Sequence, residues 1–88
     1  MKKHFNIKIY GQVQGVFFRA SAREKAESLG ITGFVQNQPD GSVYIEAEGE
    51  DDMLNQFLSW CHEGPPAADV EEIKAAEGPM KKFSHFST

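Results

Sequence analysis

Apolar and polar positions follow two different periods in the first third of the chain. Over Phe5–Ile9 apolar residues alternate with polar ones, which predicts a half-buried strand. From Phe18 to Leu29 apolar residues recur every three or four positions among good helix formers, which predicts a helix that Gly30 can end. The intervening Gly11–Val16 contains two glycines and no periodicity, so it is predicted to be a loop that joins the strand to the helix.

A β-hairpin is predicted next. Thr32–Gln38 and Val43–Glu48 both read as strands, and Val43–Glu48 alternates strictly. The Pro39–Gly41 segment between them is a turn signal, because proline presets φ and glycine accepts a positive φ. Gly49 is expected to end the second of these strands.

A second helix and one or two short strands complete the pattern. Acidic residues at positions 50–52 lie where a helix dipole favours negative charge, and Gly64–Pro66 ends the apolar periodicity that follows them. Val70–Ala76 is predicted to be a strand with a bulge, because two of its apolar residues are three positions apart rather than two. Lys82–Ser87 is predicted to be a short fifth strand.

The predicted order β-α-β-β-α-β is that of the ferredoxin-like α+β sandwich, an antiparallel sheet of four to five strands with two helices on one face. Lys8, Gln36 and Glu46 are polar strand residues, so the other face is expected to be open to water. The 88 residues, of which 40% are hydrophobic, can form one small core. We therefore predict a single domain over residues 1–88.

Charge and composition exclude several classes of protein. The net charge of −4 and the lack of a basic run argue against nucleic-acid binding. No apolar run approaches the length of a membrane span, and no apolar segment follows the N-terminal lysines, so we expect a cytoplasmic protein without membrane contact. Cys61 is the sole cysteine and the three histidines are far apart, so we expect no disulfide, no metal site and no cofactor.

The strand-to-helix segment Gly11–Arg19 is the strongest candidate for chemistry. A glycine-containing turn before a helix N-terminus can direct several main-chain N–H groups at one anion. Arg19 falls in the first helical turn, where a cation opposes the helix dipole, and a bound anion would remove that conflict. The alternative is an ordinary surface arginine paired with a carboxylate such as Glu24, and the residues alone leave both interpretations open.

Asn37 is the second candidate. It lies near the end of the second predicted strand and shares a face with Gly33 and Val35. Asparagine is also common beside turns. Its spacing alone therefore does not distinguish a functional residue from a turn residue.

These two segments resemble the acylphosphatase family. Gly11–Arg19 matches the family signature G-x-V-Q-G-V-x-F-R, and Gly33–Val43 is similar to the second signature, G-W/F-V-x-N-x-x-D-G-x-V. The similarity covers nearly the whole chain. It implies the same βαββαβ fold and a metal-independent enzyme without cofactors that hydrolyses acyl phosphates, the mixed anhydrides of carboxylic and phosphoric acids.

The resemblance also implies roles for particular residues. Arg19 would hold the phosphate group, and Asn37 would orient the attacking water. The surrounding main-chain N–H groups would come from Gly15, Val16, Phe17, Phe18 and Arg19. The partners of such an enzyme would be a small-molecule acyl phosphate and inorganic phosphate, the latter as product and competitive inhibitor. The sequence contains no sustained exposed apolar stripe, so we expect a monomer.

Two other functions remain open from the sequence. RNA-recognition motifs share this element order, and Gly33-Phe34-Val35 resembles a fragment of their aromatic signature. That fragment lies on the second strand rather than the third, and the chain is acidic. An inactive anion-binding or regulatory domain would keep the same loop without turnover.

Overall fold

The strands and helices follow one another in the predicted order. The computed structural model describes all of residues 1–88. Its elements are β1 (Lys2–Gln12), α1 (Phe18–Ser28), β2 (Thr32–Asn37), β3 (Val43–Glu50), α2 (Asp51–Glu63), β4 (Asp69–Gly78) and β5 (Phe86–Ser87). This order confirms the ferredoxin-like α+β plan.

The five strands form one sheet in the order β4-β1-β3-β2-β5. The pairs β1·β3, β1·β4 and β2·β3 are antiparallel, as predicted. Strand β5 pairs in parallel with β2 at Gly33 and Phe34, so the sheet is mixed at this edge. The reason is the path of the chain, which leaves β4 at one edge, turns back and crosses to the other edge, arriving in the direction of β2.

Both helices pack on one face of the sheet. Apolar side chains of alternating strand positions meet the apolar stripes of the helices, and α1 contributes the small residues Ala22 and Ala26, which allow close approach to the sheet. The core includes Ile7, Ile9, Phe18, Ala22, Ala26, Val35, Val43, Ile45, Leu54, Phe57 and Cys61. No helix is long and apolar enough to cross a bilayer.

Strand β1 runs further than its periodicity predicted. It continues through Gly11 to Gln12, so the loop before α1 is Val13–Phe17. Gly11 has a φ of +130°, and a Cβ built on it would lie 2.1 Å from the carbonyl oxygen of Asp69. The predicted bulge in β4 lies at this point, because the register shifts by one residue between Tyr10 and Gly11.

Two other boundaries differ from expectation. Gly49 does not end β3, because it pairs with Lys3 of β1 and the strand continues to Glu50, directly before α2. The fifth strand contains only Phe86 and Ser87, since residues 79–85 cross the sheet instead of pairing along its edge.

The face opposite the helices, which the sequence predicted to be open to water, is partly covered. Glu46 and Glu48 are buried although their side chains point away from the helices. The carboxylate of Glu48 accepts hydrogen bonds from the main-chain N–H groups of Lys81 and Phe83 and contacts His4 Nδ1 at 2.7 Å. These bonds hold residues 79–85 across the sheet.

Candidate active site

The loop Val13–Phe17 between β1 and α1 has an unusual backbone. Gly15 has a φ of +72°, which glycine accepts without cost. Phe17 also has a positive φ, +66°, in the left-handed region that non-glycine residues rarely adopt. Its ring is 79% exposed, so burial of the side chain does not explain the conformation. Local backbone strain of this kind is concentrated at functional sites.

The N-terminus of α1 has no side-chain cap and no acidic residue in its first turn. The N–H group of Ser21 donates to the carbonyl of Phe17, whereas the first helical N–H groups have no helical acceptor. Left-handed Phe17 followed by right-handed Phe18 makes successive N–H groups converge, which is the geometry of a main-chain anion site. The helix dipole adds about half a positive charge there.

A cleft of about 610 Å³ opens at this helix end. Its size is suited to a small molecule. It is lined by Val13, Gly15, Phe17, Phe18, Arg19, Ala20, Arg23, Glu24, Glu27, Asn37 and Thr88. The fold therefore brings Arg19 and Asn37, from the two predicted segments, to one cleft. Val16 is absent from the lining because its half-buried side chain packs against the core.

The Arg19 side chain is exposed and forms no ion pair with any carboxylate of the chain. The alternative partner, Glu24, lines the same cleft without pairing with it. Arg23, one turn further along α1, is the arginine that pairs, with its Nε 3.4 Å from the Glu27 carboxylate. The guanidinium of Arg19 is thus available to an anion at the helix N-terminus.

Asn37 is the last residue of β2, on the side of the sheet that carries the helices. Its neighbours on that side, Gly33 and Val35, are buried, whereas Asn37 itself is exposed where the strand emerges beside α1. Its side-chain amide forms no hydrogen bond within the chain. A residue whose role is to stabilise the turn, the alternative for Asn37, would be expected to form one. The amide is therefore available to a ligand or water in the cleft.

The turn that follows Asn37 is held by its own hydrogen bonds. The carboxylate of Asp40 accepts bonds from the hydroxyl and the main-chain N–H of Ser42, and it lies 3.1 Å from the Lys8 ammonium. The two bonds from Ser42, with Lys8 in support, lower the pKa of Asp40 to about 2. Asp40 is thus ionised at neutral pH, and the turn provides a fixed support for Asn37.

Sequence reasoning did not find every residue of the cleft. Arg23 follows Arg19 by one helical turn, and this spacing is a signal that could have placed both on one face. Thr88 reaches the cleft only because β5 pairs with β2, and no local sequence signal indicates that pairing.

The single cysteine of the chain lies away from the cleft. Burial raises the pKa of the Cys61 thiol, which belongs to the apolar core. His, Cys, Asp and Glu residues form no group of three or more with the arrangement of a metal site. Besides main-chain N–H groups, the cleft presents the side chains of Arg19 and Asn37, the Arg23–Glu27 pair, Glu24 and Thr88 to a ligand.

Comparisons with known proteins agree on one family. The family model described as Acylphosphatase matches residues 5–88. The chain is 48% identical over 85 residues to an acylphosphatase of Marinobacter nauticus, with 96% of this chain and 92% of that protein aligned. The structure of an acylphosphatase from Coxiella burnetii superposes with a TM-score of 0.95 at 40% identity, covering 98% of this chain and 90% of that chain.

A second solved structure gives the same result at lower identity. An acylphosphatase from Bacillus subtilis superposes with a TM-score of 0.94 at 33% identity, covering 99% of this chain and 97% of that chain. The chain is therefore similar to these acylphosphatases in both sequence and fold, over nearly the full length of each.

Proposed function

Because the chain belongs to the acylphosphatase family, we propose that Arg19 and the main-chain N–H groups of Gly15–Arg19 hold the phosphate of its substrate, and that Asn37 orients the attacking water. The family hydrolyses acyl phosphates to a carboxylate and inorganic phosphate, and this chain is an enzyme of that kind. The observation that carries the proposed roles is the shared cleft of Arg19 and Asn37 at an uncapped helix N-terminus.

Stabilisation of charge is the role proposed for the loop and Arg19. In phosphoryl transfer, negative charge spreads over the equatorial oxygens of the transferred group, and catalysis consists mainly of positioning and electrostatic stabilisation. Main-chain N–H groups that the loop holds in place would need no reorganisation during the reaction. A guanidinium adds a planar pair of donors that matches two phosphate oxygens. Val16, which does not line the cleft, would contribute only its N–H group.

Asn37 would act on the nucleophile rather than on the phosphate. Its amide does not titrate usefully, so it cannot serve as a general base, but it can accept and donate hydrogen bonds to one water. A water held in line with the carboxyl–phosphate bond attacks phosphorus with little further loss of entropy.

The leaving group needs no proton donor. The conjugate acid of the departing carboxylate has a pKa of roughly 4, so the group leaves as an anion at neutral pH. This chemistry explains how an arginine, an amide and main-chain N–H groups can be a sufficient set. A metal ion is not required by it, and metal independence is part of the proposal.

The same proposal extends to the partners, the oligomeric state and the location of the protein. Inorganic phosphate, as the product, would compete with substrate for the loop and Arg19. The whole of residues 1–88 would act as one domain and as a monomer in the cytoplasm. RNA binding has no support from the family model, the Marinobacter nauticus relative or the Coxiella burnetii structure, each of which is described as an acylphosphatase.

The experiment follows the hydrolysis of an aromatic acyl phosphate by absorbance, in the presence of a metal chelator. We expect turnover that the chelator leaves unchanged, and inorganic phosphate that raises KM without lowering kcat. Phosphate binding without turnover would identify an inactive anion-binding domain. Failure of phosphate to compete would contradict the proposed phosphate site.

A further inference from the structure

Gln14 connects the loop beneath the cleft to the turn that follows Asn37. Its side-chain Nε2 donates to the carbonyl oxygen of Gln38 at 2.8 Å and to that of Ser42 at 2.9 Å. We propose that Gln14 is a positioning residue, which sets the separation between the phosphate-binding loop and Asn37 and so places the water relative to phosphorus. The inference rests on the proposed roles of Arg19 and Asn37.

The turn presents two carbonyl oxygens to one amide. The carbonyl of Gln38 also accepts the N–H of Gly41 at 3.1 Å, and the carbonyl of Ser42 accepts the N–H of Gln38 at 2.9 Å. Each oxygen thus has two donors, the number that its lone pairs allow. A side-chain amide nitrogen has two N–H groups, and Gln14 uses both. Both N–H groups of the Gln14 amide and both lone pairs of each carbonyl oxygen therefore take part in hydrogen bonds.

No other side-chain hydrogen bond joins Val13–Phe17 to residues 38–42. Gln14 is half-buried and is not among the residues that line the cleft, so it is not placed to contact a substrate there. Any effect of Gln14 on the reaction therefore passes through the loop and the turn that it connects.

Loss of this connection should affect binding and turnover differently. The loop keeps its own N–H groups, and Arg19 belongs to α1, so phosphate would still bind. Asn37 belongs to β2, and its distance from the bound phosphate would be less well defined. Misplacement of a reacting group by about 1 Å can slow a reaction about a hundredfold. A loss in kcat without an equal loss of phosphate affinity is the result that positioning predicts.

The test compares Gln14→Ala with Gln12→Ala, a matched control two residues earlier, at the end of β1, whose exposed side chain makes no hydrogen bond. We measure kcat and KM with an aromatic acyl phosphate, and the inhibition constant of inorganic phosphate. We expect Gln14→Ala to lower kcat about tenfold or more and to change the inhibition constant less than about threefold. Gln12→Ala should match the wild type.

A double mutant identifies the residue through which Gln14 acts. If Gln14 places Asn37, the Gln14→Ala/Asn37→Ala protein should turn over about as fast as Asn37→Ala alone, because both changes remove the same contribution to kcat. Multiplied losses would overturn the inference, and so would a wild-type kcat for Gln14→Ala. Should circular dichroism show that Gln14→Ala is unfolded, Gln14→Asn, which keeps the amide but is one methylene shorter, undergoes the same comparison.

Failure of the proposed function gives a different pattern. If Arg19→Ala retains phosphate affinity, or Asn37→Ala retains kcat, the proposed catalytic roles fail whatever the Gln14 variants do. If both lose function as proposed while Gln14→Ala behaves like Gln12→Ala, the positioning role alone is overturned. A selective loss of kcat in Gln14→Ala that disappears in the Asn37→Ala background is the result expected.

Discussion

Arg19 is placed where helix stability alone would favour a carboxylate. It follows an uncapped N-terminus and forms no ion pair, so nothing within the chain offsets the opposition between its charge and the helix dipole. Residue type and position made it a candidate from the sequence, but they left an ordinary surface arginine open as the alternative. The left-handed backbone of Phe17 was not visible in the sequence, because a phenylalanine gives no sign that its φ is positive.

Replacement of Arg19 should weaken substrate binding and slow turnover. We expect Arg19→Ala to raise KM about tenfold or more, since hydrogen bonds to charged groups contribute about 1.5–3 kcal/mol each. Arg19→Lys should recover part of this loss, because lysine keeps the charge without the planar donors. Steady-state kinetics measures both. Lys25→Ala, on the same helix but outside the cleft, is the matched control, and an equal effect there would contradict a specific role for Arg19.

Replacement of Asn37 should affect the chemical step. We expect Asn37→Ala to lower kcat about a hundredfold, the size typical for loss of one preorganised polar group in an active site. The inhibition constant of inorganic phosphate should stay within about threefold of the wild-type value, because the loop and Arg19 are unchanged. Gln36→Ala, exposed on the same strand, should match the wild type. An unchanged kcat for Asn37→Ala would exclude the water-orienting role.

Among the elements, residues 79–85 show the limit of sequence-based prediction most clearly. The alternation of β3 correctly separates its two faces, but it does not show that Glu46 and Glu48 will be covered. Their cover comes from a segment more than thirty residues away, and its hydrogen bonds to Glu48 have no local sequence signal. Local periodicity therefore predicted the strands, and not the segment that crosses them.

The buried carboxylate of Glu48 should make stability depend on pH. Burial alone would raise its pKa, but the N–H of Lys81, the His4 ring and the N–H of Phe83 together hold it below the usual 4.5. A carboxyl group with a lowered pKa stabilises the fold above its unfolded pKa, and this contribution is lost as the pH falls through the folded pKa. The contribution of Glu48 to stability should therefore be complete above about pH 4.5 and decline as the pH drops further.

Glu48→Gln tests this contribution. The neutral amide cannot accept all the bonds of the carboxylate, so we expect a loss of about 1–3 kcal/mol in the free energy of unfolding at neutral pH. Denaturant titration between about pH 7 and about pH 3 should also show a shallower acid dependence for the variant. Glu77→Gln, exposed on β4, is the control. Equal curves for Glu48→Gln and the wild type would contradict the role of this carboxylate.

At the scale of the whole molecule, the edge of the sheet formed by β4 discourages pairing with a strand of another molecule. The free edge strand β4 carries exposed charges at Glu71, Glu72, Lys74 and Glu77, and charged edges resist the addition of another strand. The exposed large apolar side chains, Met1, Phe17 and Met80, are few. We predict a monomer, with a mass near 9.8 kDa by light scattering at every concentration. A dimer mass would contradict this prediction.

The element order of the whole molecule could be predicted because each local period and turn signal agrees with it. The parallel pairing of β5 with β2 could not, since it depends on where the chain has travelled before Phe86. The cleft could be predicted in part. Its two principal side chains were predicted, but Thr88 reaches the cleft only through that late pairing.

A phosphate titration followed by NMR tests the central claim, an anion site made of main-chain N–H groups and Arg19. Amide proton and nitrogen resonances of an isotope-labelled sample are recorded as inorganic phosphate is added, and chloride at equal ionic strength is the control. Saturable shifts concentrated at the amides of Gly15–Arg19, greatly weakened in Arg19→Ala, are the predicted result. Amides of this loop that do not respond while the enzyme is inhibited by phosphate would contradict it.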